Sequence, residues 1–572
     1  MKIRFLQFLF FLISFNSYSQ NFEWAKAFNG KLSRGYSIAV DPSGNVYSGG
    51  FFQDTVDFDP GSGSYNLSST GDAYGYISKL DEFGNFVWAK KFSGSSNSQC
   101  EVHSITIDIL NNIYITGWFS DTVDFDPGLD TFNLNSHWEY NMFITKLDSS
   151  GNFLWAKGFG QLDYDTIPKE VIGNYLLLDS SGNIFITGAF SGKIDFNPGI
   201  GIDSLVSLGS SVTEFDIFIL KLNSNGNFIW AKRMGGTDGD AGHSLALDQY
   251  GNIYSTGGFI GVADFGNFTL TAVGAGSNGD IYISKMDSSG NFIWAKSMGG
   301  NGSEYGKSIA VSNLGEVYIT GYFGQTVDFD PGLGTFLLSS LVSDNIFISK
   351  LDAAGNFVWA KNIGGIYDDY GEAITLDDFG NIYTTGFFAD TVDFDSGVGV
   401  YNLNASGGQA IFISKLDPSG NLFWAISMGG LGALGAGLSI AIDAHGNIYT
   451  TGAFTDTIDF DPGTGVYFLN NPDPNSTYGN AFVEKLDDNF VSINEIKKVA
   501  QIKVYPNPCT NCFIEGIKNE EEITITDILG RIVNIQVVKC SKGIYLNLPE
   551  SNSGIYFLRN NKTGEVAKFV KD

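Results

Sequence analysis

The sequence predicts an all-β chain in which one four-stranded unit is written seven times, and three observations carry that prediction. The first is a period. A Trp-Ala-Lys or Trp-Ala-Ile signature recurs at Trp24, Trp88, Trp155, Trp230, Trp294, Trp359 and Trp424, with separations of 64, 67, 75, 64, 65 and 65 residues. Self-similarity at a fixed spacing marks one supersecondary unit repeated. The second is local pattern. In FISKLDAAGNFVWAK (347–361), apolar and polar residues alternate on both sides of an Asp-x-x-Gly-Asn turn, which reads as a β-hairpin. The third is composition: 72 glycines, only four histidines and no long amphipathic helical pattern point to turn-rich β structure.

Each unit carries a second hairpin, as in ITLDDFGNIYTTGFF (374–388), with copies centred on Asp41, Asp108, Asp179, Asp248, Ser312, Asp377 and Asp443. One unit therefore runs SIAVD, NIYITGYF, FISKLD and NFVWAK, four strands, which is the make-up of a β-propeller blade. The chain ends favour a closed ring over a linear stack. NFEWAKAF (21–28) lacks a preceding FISKLD strand, and FVEKLDDNF (482–490) lacks a following WAK strand, so the two fragments complete each other. The expected fold is a seven-bladed β-propeller over residues 20–490, closed by the N-terminal strand. Its period exceeds the roughly 40–50 residues of common propeller repeats. The surplus, as in TVDFDPGLGTFLLSS (326–340), reads as an extra hairpin on every blade between its second and third strands.

At 572 residues the chain exceeds one compact core, and 43% hydrophobic residues supply ample apolar surface. A net charge of −29, from 33 basic and 62 acidic residues, argues against nucleic acid or an anionic membrane as partner. Four cysteines (Cys100, Cys509, Cys512 and Cys540) are too sparse for a disulfide scaffold. The start has signal-peptide form: Lys2 and Arg4, an apolar run from Phe5 to Phe15, then Ser17-Tyr18-Ser19 before Gln20, so residues 1–19 are expected to be removed. No later segment has the eighteen consecutive apolar residues of a membrane span. Residues 491–502 lose the repeat and read as a polar linker. Residues 503–572 read as a small C-terminal β-sandwich of short strands.

Two resemblances follow from these motifs. SIAVDPSGNVYSGG (37–50) and its six variants resemble the secreted β-propeller repeats of the SBBP type. Val504-Tyr505-Pro506-Asn507-Pro508, ITDILGRIV and Gly554-Ile555-Tyr556-Phe557 resemble the type A C-terminal sorting domain of type IX secretion cargo. Cys509-Thr510-Asn511-Cys512 stands where that family has Thr-Ser-Gly. The second resemblance implies passage through the periplasm, recognition by the type IX machinery, and a secreted or outer-membrane surface location. It also makes the threonines of the Asp-Thr-Val/Ile triplets (Thr55, Thr122, Thr391, Thr457) glycan-acceptor candidates beside their plainer reading as strand residues.

Candidate sites were sought where equivalent positions differ between units, because a position filled alike in all units serves the shared architecture. Five residues before the innermost-strand Asp or Ser, the copies read Tyr36, His103, Asn174, His243, Lys307, Glu372 and Leu438. Tyr36, His103, His243, Lys307 and Glu372 are the expected ligand contacts at the channel mouth, against relaxed selection at loop ends. Surplus residues of the third unit, 163–165 and 202–212, are expected on the same face. The DFDPG copies pair Asp57 with Asp59, Asp124 with Asp126, Asp328 with Asp330, Asp393 with Asp395, and Asp459 with Asp461. These offer calcium two hard oxygens each, against an Asp-rich turn that needs no ion. The repeated tryptophans read as packing rather than as sugar-stacking platforms. GGNGSEYGKS (299–308) is not a phosphate loop, because it leads into a strand. No zinc-protease helix, serine-nucleophile elbow or Cys/His pairing appears. The expected function is an exported binding or adhesion module with a glycan or protein ligand. The alternatives are a polysaccharide-degrading enzyme on a propeller scaffold, or a structural surface-layer component.

Overall fold

A computed structural model describes residues 21–488, apart from a few short internal segments, and parts of 503–571. The expected signal peptide, the linker at 491–502 and residues 163–165 lie outside the described residues. Contacts divide the chain into two compact units, Met1–Asn489 and Phe490–Asp572. All regular elements among the described residues are strands.

The first unit is a β-propeller arrangement. Six antiparallel sheets take four strands each in chain order, led by the innermost strands Asn29–Val40, Gln99–Ile107, Val171–Leu178, Ala241–Leu247, Glu304–Val311 and Tyr370–Leu376. A further sheet is composite. Gly435–Ile442, Asn447–Phe454 and Asn480–Asp487 are joined at the outer edge by Asn21–Ala27, from the other end of the chain. We number these sheets one to six in chain order and call the last one composite.

Sheet five shows why the sequence folds this way. Its third strand, Asn345–Leu351, is buried at every position and packs against both neighbouring sheets. The turn after it is set by Asp352, whose Oδ1 accepts from the amides of Ala354 and Asn356 at 2.9 Å each. Gly355 sits at φ +78°, where a Cβ would also strike the Trp294 indole of sheet four. That contact recurs: Trp24, Trp88, Trp155, Trp230 and Trp359 lie in the same way beneath Gly84, Gly151, Gly226, Gly290 and Gly420 of the following sheet. The repeated tryptophan therefore fills the gap between sheets, where large side chains pack densely. Inside each sheet the lysine of the FISKLD strand lies over an aromatic ring, as Lys350 does over Tyr318 at 5.0 Å.

The surplus segments form the expected extra hairpins, and several of them reach beyond their own sheet. Thr326–Asp328 and Leu337–Ser339 form a hairpin, but it does not extend its own sheet. Val327 and Asp328 pair with Gly300 and Gly299, the end of the outermost strand of the preceding sheet. The hairpins of the second, third and fourth sheets reach back in the same way, through Ser93↔Asp124, Gly160↔Asp195 and Gly235↔Asp264. Each of these four acts as a clasp between neighbours, because the glycine-bearing end of the outer strand offers free backbone groups beside it, whereas in sheets one and six the hairpin continues its own second strand.

The second unit holds two antiparallel sheets. Lys503–Tyr505, Asn511–Glu515, Gly543–Asn547 and Gln536–Cys540 form one, and Ile523–Asp527, Gly554–Asn560 and Val566–Lys571 form the other.

Candidate ligand-binding site

Every innermost strand carries one residue that its neighbour leaves unpaired. The register skips between Gly35 and Ser37, Val102 and Ser104, Gly173 and Tyr175, Gly242 and Ser244, Gly306 and Ser308, Gly371 and Ala373, and Gly437 and Ser439. The skipped residues are Tyr36, His103, Asn174, His243, Lys307, Glu372 and Leu438, the same positions singled out by comparing the repeats. A β-bulge releases its extra residue from the ladder and re-aims the side chain. All seven are half-buried.

The residue before the bulge shows how closely the sheets approach. A Cβ on Gly371 would lie 2.3 Å from Thr320 Oγ1 of the preceding sheet, and Gly35, Gly173, Gly242, Gly306 and Gly437 meet equivalent threonines at 2.2–2.6 Å. The second sheet inverts this arrangement: Val102 replaces the glycine, and Gly49 replaces the threonine that would collide with it. The serine after the bulge then ties sheets together, accepting from Ile105 N (Ser37), Leu176 N (Ser104), Ile309 N (Ser244), Ile374 N (Ser308) and Ile38 N (Ser439) at 3.0–3.3 Å.

The five nominated residues fall into two groups. Tyr36 meets His103 edge-on at 5.4 Å, and His103 Nε2 lies 3.3 Å from Glu101 Oε2. In the other group, Lys307 Nζ is 3.6 Å from Glu372 Oε2 and lies over the Tyr322 ring at 5.7 Å. His243 joins this group through Tyr305, at 6.1 Å between centroids. Burial first, and the Lys307 charge second, push the His243 pKa down to about 3, so its imidazole is neutral at physiological pH, and its Nε2 is buried without a hydrogen-bond partner. Between the groups, Asn174 Nδ2 donates to Gly242 O at 2.9 Å.

The comparison of repeats missed a second ring of divergent positions beside the bulges. Two residues before each bulge stand Arg34, Glu101, Ile172, Ala241, Tyr305, Tyr370 and Ala436, paired across the sheet with Phe51, Trp118, Ala189, Gly258, Tyr322, Phe387 and Ala453. The rim is therefore uneven, with aromatic or charged side chains on sheets one, two, five and six and only aliphatic residues or glycine on three, four and the composite sheet. Tyr305, Tyr322, Tyr370 and Phe387 form an unbroken aromatic run, with Tyr322 stacked on Tyr370 at 4.0 Å and 12°. The repeats already differ at these positions in the sequence, two residues before each bulge.

The paired aspartates hold their hairpin turns. Asp57 Oδ1 accepts from the amides of Asp59 and Tyr65 (3.1 and 2.7 Å), and Asp59 Oδ1 accepts from Gly61 N at 2.8 Å. Asp124 with Asp126, Asp328 with Asp330, Asp393 with Asp395, and Asp459 with Asp461 repeat this pattern. Among the described residues, no three His, Cys, Asp or Glu side chains converge as metal ligands. The candidate acceptors Thr55, Thr391 and Thr457 are exposed, and Thr122 is half-buried. Cys100 is a buried free thiol, and the side chains of Cys509, Cys512 and Cys540 lie outside the described residues.

Comparison with known proteins bears on both units. Residues 503–572 match the family described as secretion system C-terminal sorting domain, and residues 87–118 match the SBBP beta-propeller repeat. The chain ends in a type IX sorting domain. This sorting domain directs the chain through type IX secretion to the cell surface or extracellular space and implies contact with that machinery. Among the described residues, no helix is long and apolar enough to cross a membrane. An uncharacterized WD repeat-containing protein of Acanthamoeba polyphaga mimivirus is 24% identical over 75% of this chain and 36% of its own length. The regulatory protein FlaEY of Caulobacter vibrioides is 26% identical over 25% of this chain and 14% of its own. The chain thus spans about a third and about a seventh of these two relatives. Among solved structures, a PL25 ulvan lyase is similar at 12% identity and TM-score 0.40, covering 79% of this chain and 96% of that one. A Bacteroides caccae protein of unknown function is similar at 12% identity and TM-score 0.29, covering 62% and 89%.

Proposed function

We propose that the exported chain is a surface-displayed binding module whose glycan or protein ligand docks on the bulge-lined rim. One observation carries this reading. The bulge is kept in every innermost strand while its occupant changes from Tyr36 to His103, Asn174, His243, Lys307, Glu372 and Leu438. A backbone device that re-aims a side chain, filled differently each time, suits recognition of an asymmetric partner. The uneven aromatic rim supports the same reading, since rigid aromatic anchors dominate binding energetics. Tyr36, His103, His243, Lys307 and Glu372 are the contacts of this site.

In this reading the ring has seven blades over residues 20–490, the composite sheet being the seventh. The pairing of Asn21–Ala27 with Asn480–Asp487 and the bond from Ile38 N to Ser439 Oγ support closure. The linker is 491–502, and the four- and three-stranded sheets within 503–572 form the two layers of a sandwich. The test is a binding screen of the purified chain against glycan and protein arrays, repeated with the His243→Ala/Lys307→Ala variant. Loss of binding at an unchanged melting temperature supports the rim, and undiminished binding moves the site elsewhere.

A further inference from the structure

At the junction of sheets four and five, two acids are buried together without a counter-charge. Asp280 opens the strand Asp280–Met286 and Glu304 opens the neighbouring Glu304–Val311, whose first amide donates to Gly279 O at 2.9 Å. Asp280 is 1% exposed and Glu304 0%. Asp280 Oδ2 accepts from Val273 N at 2.8 Å, but Asp280 Oδ1 and both Glu304 carboxylate oxygens have no hydrogen-bond partner. The amides of Gly300 and Gly302 lean toward Glu304 and offset its burial slightly, yet neither reaches hydrogen-bond geometry. Burial first, and then repulsion from Asp280, push Glu304 up to about 8, with Asp344 adding to the effect. Burial pushes Asp280 to about 7.

The repeats supply an internal control. At the junction of sheets three and four the equivalent acids are Asp216 and Asp240. There Arg233 Nη1 binds Asp216 at 2.7 Å, and Asp240 accepts from Gly236 N and Ile260 N. At the junction of sheets five and six the first acid is replaced by the neutral Asn345, and Asp369 accepts from Gly365 N and Ala389 N. Asp216 Oδ1 also lacks a partner, and burial still raises Asp240 to about 7 and Asp369 to about 6, but every carboxyl at these junctions keeps at least one donor. At the Asp280–Glu304 junction Glu304 has no donor at all and three carboxyl oxygens stand without partners, which is costly for a buried polar group whether or not it ionises.

We propose that Asp280 and Glu304 hold a divalent cation, calcium by its donor set, that pins sheet four to sheet five. A single shared proton leaves one charge and one orphaned oxygen, whereas a divalent ion neutralises both carboxylates and gives all three free oxygens a partner. The donors are oxygen only, which selects a hard cation, and a crowded protein cage suits calcium better than the strictly octahedral, water-retaining magnesium. This site is separate from the DFDPG hairpins, whose aspartates already serve backbone amides.

The test uses the full chain, stripped with chelator, at pH 9, above the values to which burial raises both carboxyls. Calcium chloride should raise the melting temperature by at least about 2 °C through preferential binding to the folded state. Calorimetry should count one tight ion per chain. Asp280→Asn/Glu304→Gln should abolish both signals, while Asp328→Asn/Asp330→Asn should keep them. No calcium-dependent shift in the wild type, an undiminished shift in the Asp280/Glu304 variant, or a stoichiometry of five to seven would overturn the assignment. If the variant fails to fold, the wild-type stoichiometry and its retention in the hairpin variant still decide.

Discussion

Two rings of equivalent positions run through the propeller unit and behave in opposite ways. The outer ring is the tryptophan of each outermost strand, identical in every copy and, in six of the seven, lodged beneath the next sheet's turn glycine. The inner ring is the bulge residue of each innermost strand, unlike in every sheet except for two histidines. The outer position meets the same geometric demand each time, a wide gap to be filled, so one side chain is the solution throughout. The inner position is freed from pairing by the bulge and faces its neighbours around the ring, so its chemistry is open. Sameness reports architecture, and difference reports where a partner can be read.

Breaking the outer ring should cost the most. Deleting residues 21–27 removes Trp24 and the outer strand of the composite sheet and exposes an unpaired edge, so a large fall in melting temperature or aggregation is expected in thermal scans. Next comes a point change in the same ring. Trp424→Ala, at 2% exposure, should cost about 3–5 kcal/mol in denaturant unfolding. Trp359→Ala, half-buried, should cost less.

A titration sharpens the comparison from a third position. Glu484 is fully buried where other sheets carry Ser, Thr or Leu, and it accepts from Thr450 Oγ1 at 2.9 Å. Burial raises it to about 8 from an ordinary 4.5. The folded protein therefore holds this proton more tightly than the unfolded chain. Its contribution is full below pH 4.5 and is lost as pH rises through 8, on the order of a few kcal/mol. Glu484→Gln should flatten the decline of melting temperature between those limits; an unchanged slope would assign the loss to other groups.

The close approach beside the inner ring predicts a compensated pair. Gly371→Val should destabilise by about 1–3 kcal/mol through collision with Thr320, and adding Thr320→Gly should recover most of that, as Val102 and Gly49 already do. The smallest effect should come from the inner ring itself. Changing His243 and Lys307 to Ala removes one half-buried ion pair, so unfolding should shift by no more than about 1 kcal/mol while ligand binding falls.

The strands and their grouping into units were legible because Asp-x-x-Gly-Asn turns and alternating strands are written locally and repeated. The bulge positions were legible as divergence, though not as bulges, because a skipped register leaves no mark within one strand. The clasping of the preceding sheet by these hairpins was not legible for a similar reason: TVD pairs with a Gly-Gly end about thirty residues upstream, and glycine carries no side-chain pattern to announce a partner. The unpaired acids at Asp280 and Glu304 were invisible, since their burial depends on which sheets meet.

The composite sheet has a consequence for the order of events during export. Ser33, at the head of the chain, accepts a hydrogen bond from Ala481 N, 448 residues away. Loop closure on that scale must precede the contacts that reward it. The N-terminal ribbon stays unpartnered until Asn480–Asp487 has been delivered, and the sorting domain begins at residue 503, only just beyond. The address label follows almost immediately on the strand that pairs with Asn21–Ala27, so a chain cut short of that pairing also lacks its ticket to the surface.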